Sequence, residues 1–375
     1  MALWTPEVID AAQDFSSFDR HLAKVPDRRA VFLVAPRQGD PYIGRTALLH
    51  RRLQRLLGER SQPSRLLSLR PVAARVEFQL TASWLETSLV FYEVARAHFP
   101  EDYLSRIKLR MPPYLKILLS NRFPRSQVTT RLDASRSLYY GPFRTRASAD
   151  LFEAQFLDLF QMRRCHEDLL PSPEHPGCVY GEMNLCLRPC QQAVSAEEYA
   201  SEIERVVRFL STGGRSLLDT ASHARERASQ ETDFELAARL HKQVEKVDAV
   251  LKLRDGLVAE ASRLSGVAVT ASVAGGCVEL WFMLEGRWLA PVRFPVQAVG
   301  EKTVSLDARL RGLVGALEPG RLVARERQEH LALLARWYYS GSRDGEWLPF
   351  TDLSDLPYRR LVRAISRTAA NPPIT

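Results

Sequence analysis

At 375 residues the chain is about two to three times a common domain length, so several packed units are expected. Fifty-two Lys plus Arg against 44 Asp plus Glu give a formal net charge of +8 and a pI near 9.4, which favours a polyanionic partner such as nucleic acid. No apolar run nears the roughly 18 to 20 residues that cross a bilayer, and the first twenty residues lack a signal-peptide core, so a cytoplasmic chain without a membrane partner is expected.

Taken in order, residues 30–34 (AVFLV) form an apolar run closed by Pro36, Gly39 and Pro41, and Tyr42 and Ile43 follow before Gly44. That pattern predicts two strands joined by a turn. In 46–57 (TALLHRRLQRLL) leucines recur at helical spacing while His50, Arg51, Arg52 and Arg55 concentrate positive charge. Residues 76–80 alternate as a strand, and 83–99 read as a helix that begins at a Ser cap and stops before Pro100. Prolines, β-branched residues and tyrosines predict short strands across 112–142, and helical periodicity returns over 147–162. The stretch 195–253 is the most helical, broken once at Gly213 and Gly214, in the manner of an antiparallel helix pair. Three strands are expected at 267–273, 277–284 and 288–294, then a mostly helical section over 305–367 and a frayed tail, NPPIT.

Cys165, Cys178, Cys186 and Cys190 are spaced C-x12-C-x7-C-x3-C in a Pro- and Gly-rich stretch with no periodic apolar face, and the fifth, Cys277, stands apart. A non-secreted chain has little use for a disulfide framework, and four soft thiolates suit tetrahedral zinc or an iron-sulfur cluster equally well. Four incidental thiols are the blander reading.

The stretch from Cys165 onward, with CVYGEMNLCLRPCQQAVSAEEYASEIERVVRFLSTGG, resembles the cysteine region of the UvrC family, the incision subunits of bacterial nucleotide excision repair. Upstream, PYLKI at 113–117, FPR at 123–125 and YYGPF at 139–143 are similar to family elements. The resemblance implies a 4Fe-4S centre on the four cysteines, with a structural or DNA-linked role. Downstream, 221–247, above all DFELAARLHKQVEKV, resembles the UVR motif, whose helical hairpin docks on a UvrB-like helicase. Phe234, Ala237, Ala238, Leu240 and Val244 would then form the apolar contact stripe. An ordinary helix pair closed on its own core is the alternative.

The family carries a GIY-YIG nuclease domain at its N-terminus, and residues 30–104 resemble a worn copy. That chemistry needs a tyrosine, a basic residue for the phosphate and a carboxylate holding one divalent metal, Mg or Mn. Tyr42, Ile43 and Gly44 retain the YIG half, and Arg52 falls on the family's catalytic arginine. The first tyrosine is replaced by Phe32 and the lysine after the second glycine by Arg45. Aligned on Thr81, Ser83 and Glu86, the metal-binding glutamate falls at Phe91, which offers no ligand oxygen. Glu93 lies about 200° further round the helix, Glu86 is five positions back, and the expected asparagine falls near Leu104. The resemblance therefore implies a domain that binds DNA through Arg45, Arg51, Arg52 and Arg55 and cuts poorly or not at all.

An α+β chain of several units is expected: an N-terminal extension at 1–24, a degenerate GIY-YIG-like domain at 25–110, a linker and Cys-rich region at 111–194, a helical region at 195–255 with the UVR motif at 221–255, and C-terminal strands and helices at 256–375. Nothing in the last section, including Asp307, Asp344, Asp352 and Asp355, matches an RNase H-like nuclease, so the layout resembles the short homologue Cho more than a full-length UvrC, although Cho would need the active-site groups missing here. The leading expectation is a UvrC-like DNA repair protein that binds damaged or nicked duplex and a UvrB-like partner. One alternative is an active Cho-like endonuclease making the 3′ incision with Tyr42, Arg45 and Arg52, and with Mg or Mn bound. The other is an iron-sulfur redox or structural protein on the same scaffold.

Overall fold

The computed structural model describes residues 3–10, 15–59, 67–297, 305–318 and 323–370; the tail at 371–375 lies outside them. The chain is α+β, built on three antiparallel sheets. The first holds β1 (Glu7–Asp10), β2 (Ala30–Pro36), β3 (Tyr42–Thr46) and β4 (Ala73–Leu80) in the order β1-β4-β2-β3. With it go α1 (Phe15–Lys24), α2 (Leu49–Leu57) and α3 (Trp84–His98). Residues 30–34 are all buried because helices cover both faces of β2. Strand alternation sends Ala30, Phe32 and Val34 to one side, where they meet Phe18, Leu22 and the leucines of α2; Val31 and Leu33 go to the other side, under α3. Residues read as an N-terminal extension thus supply the edge strand β1 and the helix α1 of this unit.

Ser83 caps α3, its side chain accepting from the Glu86 amide at 3.1 Å, which fixes where the helix begins. A single turn, α4 (Tyr103–Arg106), leads to the second sheet. Its strands β5 (Tyr114–Ile117), β6 (Ser126–Thr129), β7 (Leu138–Gly141) and the much later β8 (Ala259–Glu260) lie in the order β6-β5-β7-β8. Beneath it, α5 (Arg146–Leu157) and the later α7 (Ala196–Ser211) pack a chain of rings; Phe152 and Phe156 stack at 5.8 Å, and Phe160 and Phe209 follow. Helix α5 ends at Leu157, short of the 162 expected. Between these helices the cysteine segment contains one turn, α6 (Val179–Glu182).

The helical stretch has two breaks where one was expected: α7 gives way at Gly213 and Gly214 to α8 (Arg215–Gln230), and a second turn precedes α9 (Phe234–Lys252). There Thr232 adopts φ 59°, and Asp233 caps α9 by accepting from the Leu236 amide at 3.0 Å. A Thr-Asp pair at a helix boundary gives a weaker signal than two glycines, because both residues are tolerated inside helices.

The third sheet comprises β9 (Ser265–Ala271), β10 (Cys277–Leu284), β11 (Arg287–Trp288) and β12 (Val292–Pro295); the expected third strand is split, both halves pairing with β10. After α10 (Leu306–Val314) and α11 (Ala324–Tyr338), strand β13 (Glu346–Phe350) returns to pair with β9, so the section expected to be mostly helical also completes a sheet; α12 (Tyr358–Ala370) then covers one face with α10. The other face, carrying Ala268, Trp281, Met283 and Trp347, joins α11 and α3 in one apolar cluster with the first sheet.

Polar contacts lock that seam. The Glu329 carboxylate on α11 accepts from the Tyr92 hydroxyl at 2.6 Å and the Tyr103 hydroxyl at 2.7 Å, with Arg325 at 3.1 Å. His330 beside it, pushed down to about 4 by burial, accepts from the Trp288 amide through Nδ1. Asp344 accepts from the Trp84 amide at 2.8 Å and the Arg29 guanidinium at 2.7 Å, tying the start of α3 to the third sheet.

Candidate functional site

The residues that the nuclease resemblance singles out gather around β3, at the edge of the first sheet. Tyr42 and Gly44 share one face of that strand, Ile43 and Arg45 the other. On the first face the Tyr42 hydroxyl accepts from Arg52 Nη2 at 2.8 Å, so the strand and α2 do bring this pair together. Phe32 is fully buried directly opposite Gly44, where any Cβ would stand 2.6 Å from its ring. On the other face Arg45 reaches the Ser88 hydroxyl at 3.4 Å and lies over the Phe91 ring at 5.7 Å. Tyr42 with Arg52, and Arg45 with Phe91, therefore occupy opposite sides of one edge strand.

Neither neighbouring carboxylate contacts this group. Glu93 accepts from the Leu3 amide with both oxygens at 2.9 Å. Glu86, 7% exposed, accepts from the Ala82 amide at 2.7 Å and is pushed up to about 7 chiefly by burial. Phe91 and Leu104 pack into the apolar cluster shared with α11. Among the described residues Tyr42, Arg45 and Arg52 make no hydrogen bond or ion pair to a carboxylate. On α2, Arg51 pairs with Asp27 at 3.0 Å yet stays exposed, as does Arg55.

The four clustered cysteines come from a loop, the start of α6 and a short 3-10 turn at 189–191. Arg163, 2% exposed, donates to the Phe123 and Glu167 carbonyls at 2.9 and 2.8 Å and to Cys165 Sγ at 3.4 Å, so a buried cation fixes that thiol from behind. The Arg188 amide, from a left-handed residue at φ 57°, donates to Cys186 Sγ at 3.4 Å. Cys186 and Cys190 are buried, Cys165 is half-buried and Cys178 exposed. Burial pushes the Cys186 thiol up to about 11, and Cys165, Cys178 and Cys190 each add to that shift, which places those three sulfurs within electrostatic reach of Cys186. Among the described residues no set of side chains is already closed to metal-ligand distances. By chemistry four thiols are a donor set suited to a thiolate-bound centre, and N–H groups of Arg163 and Arg188 donate to two of them, Cys165 and Cys186.

In the α8–α9 hairpin the expected contact stripe divides. Phe234, 72% exposed, and Ala238 face outward; Ala237 and Leu240 are half-buried; Val244 is buried on the side of Val247 and Val250, at the base of the hairpin. At roughly 100° per residue, positions 234 and 238 point well away from 240 and 244, so Val244 belongs to the chain's own packing and not to an exposed stripe. Reading the sequence alone missed Arg336, which lies close enough to Arg45 to lower its affinity for a proton. No local spacing could have linked two residues brought together only by the packing of α11 on α3.

Residues 113–209, from the start of the second sheet to near the end of α7 and including all four clustered cysteines, match the middle domain of UvrC/Cho excinucleases. Beyond that segment the likeness covers most of the chain. It is 24% identical over 326 residues to UvrABC system protein C of Moorella thermoacetica, covering 85% of this chain and 52% of the relative. UvrABC system protein C of Acetivibrio thermocellus is 23% identical over 338 residues, covering 86% and 52%, and that of Ruminiclostridium cellulolyticum is 21% identical, covering 84% and 53%. Over most of its length the chain is thus similar to UvrC-type excinucleases. It spans about half the length of the curated relatives it matches. No solved structure matches it. Among the described residues no helix is long and apolar enough to cross a membrane.

Proposed function

We propose that the chain is a nucleotide excision repair protein that binds duplex DNA and a UvrB-like partner and has little or no nuclease activity of its own. The observation that carries this reading is Phe91: a ring packs beneath Arg45 where the family alignment calls for the metal-binding carboxylate. Glu86 and Glu93 are engaged elsewhere, on the Ala82 and Leu3 amides. A divalent ion needs charged oxygens to replace its water, and an aromatic edge supplies none. DNA affinity would come from arginines on β3 and α2, since phosphate contacts need cations and not a working active site. The outward Phe234 and Ala238 at the tip of the hairpin would meet the partner.

Cys165, Cys178, Cys186 and Cys190 would hold an iron-sulfur cluster or a zinc ion. Such a centre would supply cohesion to a segment with few apolar residues of its own. Arg163 and the Arg188 amide would act on it by orienting two of the sulfurs.

The test is incubation of the purified chain with nicked and lesion-bearing duplex in magnesium or manganese. Binding without cleavage above background is expected. One observation favours a second reading, an active Cho-like endonuclease making the 3′ incision: the intact hydrogen bond between Tyr42 and Arg52. Efficient cutting that disappears in Tyr42→Phe or Arg52→Ala would establish that reading instead.

A further inference from the structure

Cations are seldom held half out of water without a carboxylate beside them, because desolvating an ion is costly unless a counter-charge or dense hydrogen bonding offsets it. The seam between β3, α3 and α11 departs from that rule. Arg45 and Arg336 are both half-buried. Arg45 has only its long contact to Ser88 and the Phe91 ring, and Arg336 has the Ile107 carbonyl at 3.0 Å. Burial lowers both below the ordinary arginine value, and repulsion from Arg336 lowers Arg45 further. The two guanidinium groups lie within electrostatic reach of each other, and among the described residues neither is paired with a carboxylate.

Arg336 also lines a cavity of about 610 Å³ between α11, the loop before β5 and the start of α5. Lys108, Arg110, Arg144, Arg146 and Tyr339 line it too, over a floor of Pro, Ala and Phe side chains, and no Asp or Glu is among its walls. Lys108, Arg110 and Arg144 are exposed and enter no ion pair among the described residues. Nearby carboxylates are already engaged: Asp150 by Arg146 at 3.3 Å, Asp102 by Arg106 at 2.8 Å, and Asp255 by the Tyr339 hydroxyl at 2.6 Å. The volume would admit a nucleotide-sized group, and a cationic rim over an apolar floor suits a strand that presents phosphates at its edge and sugars beneath.

We propose that this cavity, with the Arg45–Arg336 pair beside it, is a phosphate-binding track that takes the sugar-phosphate backbone of nucleic acid. The assignment rests on the DNA-binding reading above and adds where the backbone is held. It also accounts for the unpaired arginines, whose missing counter-charge arrives with the ligand.

Fluorescence anisotropy of the full chain with a labelled duplex, across a salt series, provides the test. Replacing Lys108, Arg110 and Arg144 together with Ala is expected to weaken binding at least about tenfold near 0.1 M salt and to reduce the slope of log K against log salt by about 2 to 3, close to one unit per lost phosphate contact. A control that removes three exposed arginines of α12, Arg359, Arg360 and Arg363, alters the net charge equally and should shift affinity less than about twofold, since long-range charge effects are screened at that salt. A second variant, Arg45→Met, is expected to weaken binding while raising the melting temperature, because it removes an uncompensated charge; a merely structural arginine would do the reverse. If the triple variant matches the control in affinity and slope, the track is overturned while DNA binding stands. A wild-type chain with no salt-sensitive binding would remove both. Pyrophosphate is the small-anion probe: protection of the cavity by pyrophosphate without any competition from duplex would make the occupant a free anion and overturn the assignment to a nucleic-acid backbone.

Discussion

The first sheet and the cysteine segment carry opposite mixtures of scaffold and chemistry. In the sheet and the helix α3 beside it apolar side chains seal the centre, with Phe32 fully buried and Phe91 at 8% exposure, while Tyr42 with Arg52 and Arg45 with Phe91 lie on different sides of β3. Around the cysteines the balance reverses. Residues such as Leu170, Val179 and Met183 stand exposed, and three thiols lie within electrostatic reach of Cys186. Buried apolar area is worth roughly 25 cal/mol per Å² whatever the active site contains, so a sheet can outlive its reaction. If the cysteine segment is organised by ligation, as proposed, it has no such independence.

The largest effect is therefore expected in the cysteine segment. Cys186→Ser combined with Cys190→Ser should abolish bound metal and open 165–192 to limited proteolysis, since structural metal sites contribute on the order of 10 kcal/mol to the folding of small thiolate-held units. Metal analysis and anaerobic absorbance of the parent chain decide between iron-sulfur and zinc. A double variant with full metal content and unchanged proteolysis would break the comparison.

A smaller effect tests the sheet side. The Glu86 carboxyl, ordinarily near 4.5, is pushed up to about 7 by burial, so the folded chain holds this proton more tightly than the unfolded chain. Its contribution to stability is most favourable below about pH 4.5 and falls as pH rises towards 7, where the buried group must ionise. Glu86→Gln should leave stability unchanged near pH 4.5 and raise it by about 3 kcal/mol at pH 8, read from denaturant midpoints. His330, neutral in the fold down to about 4, has the opposite slope, with stability rising from about pH 4 to 6.5, and cancels when the variant is compared with the parent. A flat difference between the two chains would mean that the first sheet carries no ionisation penalty.

The smallest effects come from the hairpin. Phe234→Ala should change stability by less than about 0.5 kcal/mol, because the ring is exposed, while weakening capture of a UvrB-like helicase about tenfold or more in surface-plasmon measurements. Val244→Ala should do the opposite, costing about 1 to 2 kcal/mol of stability and leaving capture intact. Equal effects from both would merge the two faces of α9 that the structure separates.

Much of this could be read from residue order. The AVFLV run, the Ser83 cap, the cysteine spacing and the hairpin helices are local signals, and each lies near its expected place. What escaped was non-local. β13, EWLPF, is a short run whose identity depends on pairing with β9, some eighty residues earlier in sequence. Thr232 and Asp233 end a helix without the glycine that usually announces it. The meeting of Arg45 with Arg336 depends on how α11 packs against α3, which periodicity along either helix cannot reveal.

The clasp formed by Glu329, Tyr92 and Tyr103 has an evolutionary consequence. Tyr92 immediately follows Phe91, so the position to which the proposed alignment assigns a metal-binding carboxylate adjoins a buried, hydrogen-bonded joint. Placing an acid there would ask natural selection to pass through intermediates that set a charge against that joint before any catalytic benefit followed. On the proposed reading the joint would act as a ratchet, drawing descendants of such a chain towards new uses of the surface sooner than back to a nuclease.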